Sequence, residues 1–466
     1  MATSSDVYLE LVELSGHVLA KGTWSATLQA NCLYRSAYLA KPGCRCRLLK
    51  GLWEITPATP LAALDLSSGP CVQVVWLSSS AADRYSQRIA SLACAALKAD
   101  GSVVTWGLAR GGGNSAAVSQ HLTEGVVQIS GNARAFAAIK WDGSVVTWGY
   151  SRDGGNSSSV ALLLTEGVVQ VCGSTVAFAA IKEDGSVVTW GDARGGGNSS
   201  AVAPLLTEGV VQVCGSTGAF AAIKADGSVV TWGLAGGGGN SSAVAQHLTE
   251  GVVQVCGSFG AFAAIKADGS VVTWGHASHG GNSSAVAQLL TEGVIQVCAS
   301  HQAFAAIKGD GSVVTWGDAL HGGNSSAVTP LLTEGVVQVS GSAKAFAAIK
   351  GDGSVVTWGD ARLGGNSSAV APLLTEGVVQ VSGNIAAFAA IKADGSVVTW
   401  GHASHGGNSS TVAPHLKEGV VQVSGGGQGF AAIKGDGSVV TWGDARHGGD
   451  YSVVAPLLTE GVVQVC

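Results

Sequence analysis

Charge is scarce in this chain. Asp, Glu, Lys and Arg make up 12% of its 466 residues, about half the usual share for soluble domains. Disorder requires the opposite bias, low hydrophobicity with high charge. The net charge of −6 argues against a broad surface for nucleic acid or acidic membranes, both of which call for excess Lys and Arg. Long apolar runs are missing as well, each ending within a few residues, far short of the ~20 needed to cross a bilayer. The first apolar stretch carries Asp6, Glu10 and Glu13, contrary to a secretory signal. The expectation is a protein of the cytoplasm or nucleus.

Paired cysteines are also wanting. Cys32, Cys44, Cys46 and Cys71 lie near the front without the Cys-x₂-Cys spacing of common zinc sites. Cys172, Cys214, Cys256, Cys298 and Cys466 share one repeat phase, which Ser130, Ser340, Ser382 and Ser424 fill elsewhere. A position that accepts Cys or Ser asks for a small, mostly buried side chain, so neither disulfides nor a metal are implied. Gly236–Gly239 lacks the Lys-Ser/Thr of a phosphate loop. His276-Ala-Ser-His279 and His402-Ala-Ser-His405 are three units apart and supply at most two ligands each. No Ser-His-Asp or Cys-His constellation stands out. Repetition itself opposes catalysis, since an active site is a unique asymmetric cluster. The expectation is no enzyme, no cofactor and no metal.

What the chain has is repetition. Thr-Trp-Gly occurs nine times, with tryptophans from Trp106 to Trp442 at an unbroken spacing of 42 residues. Such periods signal propellers, solenoids or arrays. Within one unit, 210–213 reads as a first strand, 219–224 as a second and 228–232 as a third. Asp226-Gly227 is expected to form a primed two-residue hairpin turn. The segment through Asn240 to Gly251 returns the chain, as a short fourth strand or a loop. Asn-Ser-Ser, present in seven units, formally fits a glycosylation sequon and reads better as a turn motif.

Strand direction then sorts the loops. The Asp-Gly hairpins and Thr-Glu-Gly turns fall on one face of the array, and the first-to-second loops and the exits from the third strands on the other. The first face is nearly constant. The second varies, through Arg110, Arg134, Tyr150, Arg152, Asp192, Arg194, Phe259, His276, His279, His301, His321, Lys344, Arg362, His402, His405, Arg446 and His447. Variable loop tips on a rigid scaffold are where binding is placed, so these residues are the candidate partner-binding face. Drift at tolerant tips is the competing reading.

Asp-Gly-Ser-Val-Val-Thr-Trp-Gly, then Gly-Gly-Asn, then Gly-Val-Val-Gln-Val-x-x-Gly resembles the regulator-of-chromosome-condensation repeat in all nine units. The resemblance implies a mainly β fold, a β-propeller over 93–466. It looks closer to short-repeat bacterial members, which include a β-lactamase inhibitor protein and have mostly three-stranded blades. The opening unit lacks a first strand, and the chain ends on Val462-Val-Gln-Val-Cys466, so the last strand is expected to complete the first blade. A closed ring leaves no exposed edges; a slightly open spiral is the alternative.

Ahead of a linker at 79–92, residues 1–78 read as strands at 7–14 and 17–21, a helix at 27–40, and strands at 45–49 and 72–77. The run Cys46-Arg-Leu-Leu-Lys-Gly51, Thr59-Pro-Leu-Ala-Ala-Leu64 and Val72-Gln-Val-Val-Trp76 resembles the second half of ubiquitin-like β-grasp domains, which implies a small α+β docking module. Together the two resemblances imply a monomeric, non-catalytic scaffold for a protein partner, an adaptor in the ubiquitin pathway related to the propellers of HECT-type ligases. The alternatives they leave open are a guanine-nucleotide exchange factor for a small GTPase and a propeller-type enzyme inhibitor.

Overall fold

The computed structural model describes residues 6–41, 45–51, 53–55, 59–67, 69–77 and 91–466. At the front, β1 (Asp6–Glu13), β2 (Val18–Ser25), β3 (Arg45–Lys50), β4 (Trp53–Ile55) and β5 (Cys71–Leu77) form one sheet ordered β2-β1-β5-β3-β4. β1 and β5 are parallel; the other pairs are antiparallel. Alternation in β1 sends Leu9 and Leu11 inward and leaves Tyr8 exposed. Leu33 and Ala37 of α1 (Asn31–Ala40) close the core over Leu9, Leu11, Leu48, Val72 and Val74.

The helix starts four residues later than the sequence suggests. Residues 26–30 give their backbone groups to a neighbouring segment instead. Ala30 N–H donates to Thr59 O (2.7 Å), Leu61 N–H to Leu28 O (2.9 Å) and Ala62 N–H to Ala26 O (3.2 Å). Tertiary pairing has overridden local helix propensity. β2 likewise runs on to Ser25, held by β1 as far as Asp6. Most of the expected linker lies outside the described residues, and its last two, Ser91 and Leu92, hydrogen-bond to Gly427 and Ala133.

The repeats form nine three-stranded antiparallel sheets, here called blades. Eight are continuous in sequence: blade 2 spans 126–149, blade 3 168–191, blade 4 210–233, blade 5 252–275, blade 6 294–317, blade 7 336–359, blade 8 378–401 and blade 9 420–443. Blade 1 is composite: Val462–Val465 pairs with Ala93–Lys98, which pairs with Val103–Gly107. The ring is therefore closed, and Trp106 Nε1–H donates to Gly448 O across the join (3.0 Å). First strands approach one another most closely and are innermost, with Gly215 packed on the Gly173 carbonyl.

The middle strand reads Ala-Phe-Ala-Ala-Ile because it is buried on both faces. Its alanines let adjacent blades come close, and its Phe stacks on the Trp of the same blade, as in Phe262–Trp274 at 5.4 Å. That Trp donates Nε1–H to Gly238 O in the turn leaving the previous blade (3.0 Å). Gly238 has φ +93°, and a Cβ there would sit 2.5 Å from Phe262 Cδ2. One glycine thus serves a left-handed turn and a close contact at once.

The hairpin differs from the primed turn expected. Asp226 keeps a negative φ, because among the described residues every positive-φ residue is glycine. Gly227 N–H returns to Lys224 O (2.8 Å) and Lys224 N–H reaches Ser228 O (2.9 Å), the geometry of a type I turn followed by a left-handed glycine. Asp226 Oδ1 accepts the Ser228 N–H (2.9 Å). The return segment forms no fourth strand but short 3₁₀ turns such as Ala235–Gly237 and Ser242–His247. Within it Asn240 Oδ1 caps Ser242 N (2.9 Å), and Ser241 Oγ meets Thr231 Oγ1 (3.0 Å). The Asn-Ser-Ser motif is a turn that fastens the outer strand.

Phe262→Ala should cost about 3–5 kcal/mol in denaturant unfolding. A loss below about 1 kcal/mol would show that the stack does not govern the blade interface.

Candidate protein-binding face

The first-to-second loops meet around the ring axis. Eight backbone hydrogen bonds, of 2.7–3.3 Å, run from Gly427 to Ser91, then from Leu92 through Ala133, Thr175, Thr217, Phe259, His301 and Ala343 to Ile385. This girdle fixes the loop tips, so differences among them are differences of side chain on a common frame. A buried Ser or Asn beneath each tip of blades 2–8 ties it to the turn leaving the third strand. Asn132 Nδ2 donates to Asp153 O (2.6 Å), Ser258 Oγ to His279 O (2.8 Å) and Asn384 Nδ2 to His405 O (2.6 Å). Sequence reading missed these clamps, although Ser or Asn at that phase in seven units was a visible sign.

The variable residues also divide into phases that the sequence comparison merged. Phe259 and His301 sit on the girdle, whereas Arg134 and Lys344 are one residue beyond it. In three units the residue beyond the girdle packs against the third residue of the following turn, a side chain on one side meeting glycine on the other. Val176 faces Gly195, Leu92 faces Gly111, and Gly260 faces His279, whose Nδ1 fills the place a Cβ would take. Ala386 similarly accompanies His405. Part of the variation therefore preserves packing. Gly260→Val should destabilise by about 1–3 kcal/mol through overpacking, and His279→Gly in the same chain should recover most of it. A double-mutant cycle with no coupling would refute the pairing.

Charge on this face is largely paired. Arg134 lies 5.6 Å over the Tyr150 ring and 3.8 Å from Asp153. Arg152 reaches Asp192 of the next turn (2.8 Å), while Arg362 and Arg446 fold back on Asp360 (3.2 Å) and Asp444 (3.4 Å). Arg110 and Arg194 are exposed. The basic rim that arginine content suggests is thus mixed in sign, with exposed pairs worth little to stability. His321 and His447 bond Asp318 (2.7 Å) and Asp444 (2.9 Å) through Nδ1. His402 and His405 bring their Nδ1 atoms to 3.2 Å.

One cluster draws on neighbouring units. Phe259, 44% exposed, meets His279 edge-on at 5.7 Å and His301 at 5.8 Å, and His276 stacks on His279 at 4.4 Å. Burial and the facing His321 and Lys344 lower the His301 pKa to about 4. Burial together with His276 and His321 lowers that of His279, against the opposing pull of Asp318. Among the described residues no three His, Cys, Asp or Glu side chains form a metal-binding group. Burial lifts the Cys94 and Cys214 thiols to about 12, so they are poor nucleophiles.

His301 stays neutral in the fold where the unfolded chain would take up a proton. Its contribution is full above pH ~6.5 and falls away as pH drops towards ~4, by at most about 3 kcal/mol. Unfolding midpoints measured across this window should fall less for His301→Gln than for the wild type. Parallel curves would remove His301 as the cause.

No protein-family model matches the sequence, and no curated protein matches it. Solved structures give distant matches. Prp20p of Saccharomyces cerevisiae is 14% identical, covering 61% of this chain and 85% of its own, with a TM-score of 0.37. The ectodomain of the Arabidopsis thaliana receptor kinase ACR4 is 18% identical, covering 57% and 90%, with a TM-score of 0.34. The computationally designed Ika8 protein is 15% identical, covering 68% and 96%, also with a TM-score of 0.34. Similarity at this level says nothing of what this chain binds.

Proposed function

We propose that this protein is a non-catalytic interaction scaffold whose ring binds a protein partner through the face carrying Phe259, His276 and Arg194. The observation that supports it most is the girdle. A run of eight backbone bonds, open only between Ile385 and Gly427, holds non-repeating side chains at fixed positions, so a binding surface comes with little ordering cost. Phe259 with its histidines supplies an exposed aromatic centre, the kind of group that anchors interfaces. In this reading the repeats are of the regulator-of-chromosome-condensation type and the chain works as a monomer in the cytoplasm or nucleus.

The front module fits the same reading as a second docking element. Its β2-β1-β5-β3-β4 order with β1 parallel to β5, and a helix following the first hairpin, agrees with a ubiquitin-like β-grasp fold. An adaptor role in the ubiquitin pathway is the finer form of the proposal.

The test is affinity capture from source-cell lysate with the full chain and with a Phe259→Ser/His276→Ser/Arg194→Ser variant. All three side chains are exposed, so the fold is expected to survive. The partner should be lost or weakened by about 2 kcal/mol or more. Its identity then decides between a ligase component, a small GTPase and a target enzyme. Undiminished capture by the variant would place recognition elsewhere.

A further inference from the structure

The opposite face, nearly constant in sequence, has an asymmetry of its own. The second residue of each first strand is Val or Ile, and it sits at a bulge where the strand registers shift, as between Val210 and Gln212. A bulge re-aims its side chain. In six successive blades this residue is open to solvent: Val211, Val253, Ile295, Val337, Val379 and Val421 are 57–63% exposed. In blades 2 and 3 the equivalents, Val127 and Val169, are half-buried.

The hairpin residue between Lys and Asp tracks the difference. It is Trp141 in blade 2 and Glu183 in blade 3, but Ala or Gly in blades 4–9. A Cβ built on Gly309 or Gly351 comes within 3.9 Å of Ile295 or Val337, so the hairpin residue borders the aliphatic, and in blade 2 the Trp141 ring reaches Gly125 beside it. Val463, on the short closing strand, is half-buried beside Ala99 and packs on the next blade's core. The exposed residues therefore form an arc over blades 4–9. Val337 and Val379 line a single groove of about 380 Å³ with Lys350 and Asp352.

The charge around the arc is unbalanced. Each blade from 4 to 9 brings one Lys and one Asp in its hairpin and one Glu in the preceding turn, and Lys417 is the only addition to these. Lys and Asp offset each other in charge; the Ser354 hydrogen bonds chiefly, with Lys350 adding to them, hold the Asp352 carboxyl below its usual range. The exposed glutamates remain in excess.

We infer that the blade 4–9 arc is a docking groove for a basic, aliphatic-studded protein segment. Apolar side chains would occupy the gaps between successive valines, and Lys or Arg would meet the glutamate rim. This surface is separate from the aromatic face and does not depend on it.

The experiment measures binding of three labelled model peptides, Lys/Leu, Lys/Ser and Glu/Leu, to the full chain by fluorescence anisotropy. The Lys/Leu peptide should bind saturably and cross-link to hairpins of blades 4–9, with the others weaker by about tenfold or more. Ala267→Trp/Gly309→Trp/Gly351→Trp places the blade 2 cover on the arc and should reduce affinity by a similar factor. Ile295→Ser/Val337→Ser should do the same with no added bulk, in case the first variant fails to fold. Phe259→Ser should leave peptide binding intact, which separates this inference from the partner proposed above. Equal binding of the Lys/Ser peptide would reduce the surface to charge alone, and equal binding of the Glu/Leu peptide to apolar contact alone. Unchanged affinity in both variants, or a wild-type dimer that the Trp variant dissociates, would also overturn the proposal.

Discussion

Everything in the ring depends on one contact between blades, the glycine turn under the next blade's aromatic pair. In Gly238 the left-handed φ lets the chain leave blade 4, the missing Cβ admits Phe262, and the carbonyl accepts the Trp274 indole. No other residue meets all three demands. The contact recurs at each junction with Trp–carbonyl distances of 3.0 Å. A repeat array draws its stability from such nearest-neighbour terms, and here closure makes the last junction bond like the rest. The join is still distinct, since Cys94 stands where other blades have Phe and the closing strand has three registered pairs. Local opening should begin where the aromatic stack is missing.

That uniform contact explains why variation is confined. Strand cores and turn glycines have no freedom, because a change at any one meets the neighbouring blade as well as its own. The loop tips have freedom only in part. Gly260 beside His279 and Val176 beside Gly195 show a large residue at one position filling the space left by glycine at the other, whereas Lys344 with Leu363 keeps two large ones. Some of what looks like functional diversity is therefore packing carried out in two ways. Phe259 and Arg194 stand outside these constraints, which makes them better guides to binding than Arg152, already committed to Asp192.

Much of the ring was legible because its signals are local and repeated. A strand of Ala and Ile between two valine strands, a glycine at every turn and an orphan strand at 462–465 point to blades and to a last strand completing the first, while ring and open spiral are separated only by the Trp106–Gly448 bond across the join. The misreadings have two causes, partners distant in sequence and a local side-chain cap. Residues 27–30 have fair helical composition, but Thr59 and Leu61 take their hydrogen bonds. Asp226-Gly227 suits a primed turn by composition, yet the Asp carboxylate prefers to cap Ser228 with its own φ negative. Among the candidate residues, sequence placed all on one face but could not tell girdle positions from the ones beyond, since that phase difference appears only when Phe259 N–H is seen to reach His301 O.

The two faces put the same scaffold to different uses. On the girdle face, backbone bonds link the loop tips from Gly427 round to Ile385, and identity lies in side chains that differ from blade to blade. On the hairpin face, side chains repeat and identity lies in the neighbouring hairpin residue, Trp141 and Glu183 on two blades and nothing bulky on six. Repetition is then no evidence against a site. A bulged valine exposed once is ordinary surface. Six exposed in succession on a rigid ring make a stripe whose spacing is fixed by the blade interval, and a flexible segment can match that spacing only with apolar residues in register. The symmetry that argues against catalysis in this chain is the property that suits it to grip an extended partner along many equivalent points.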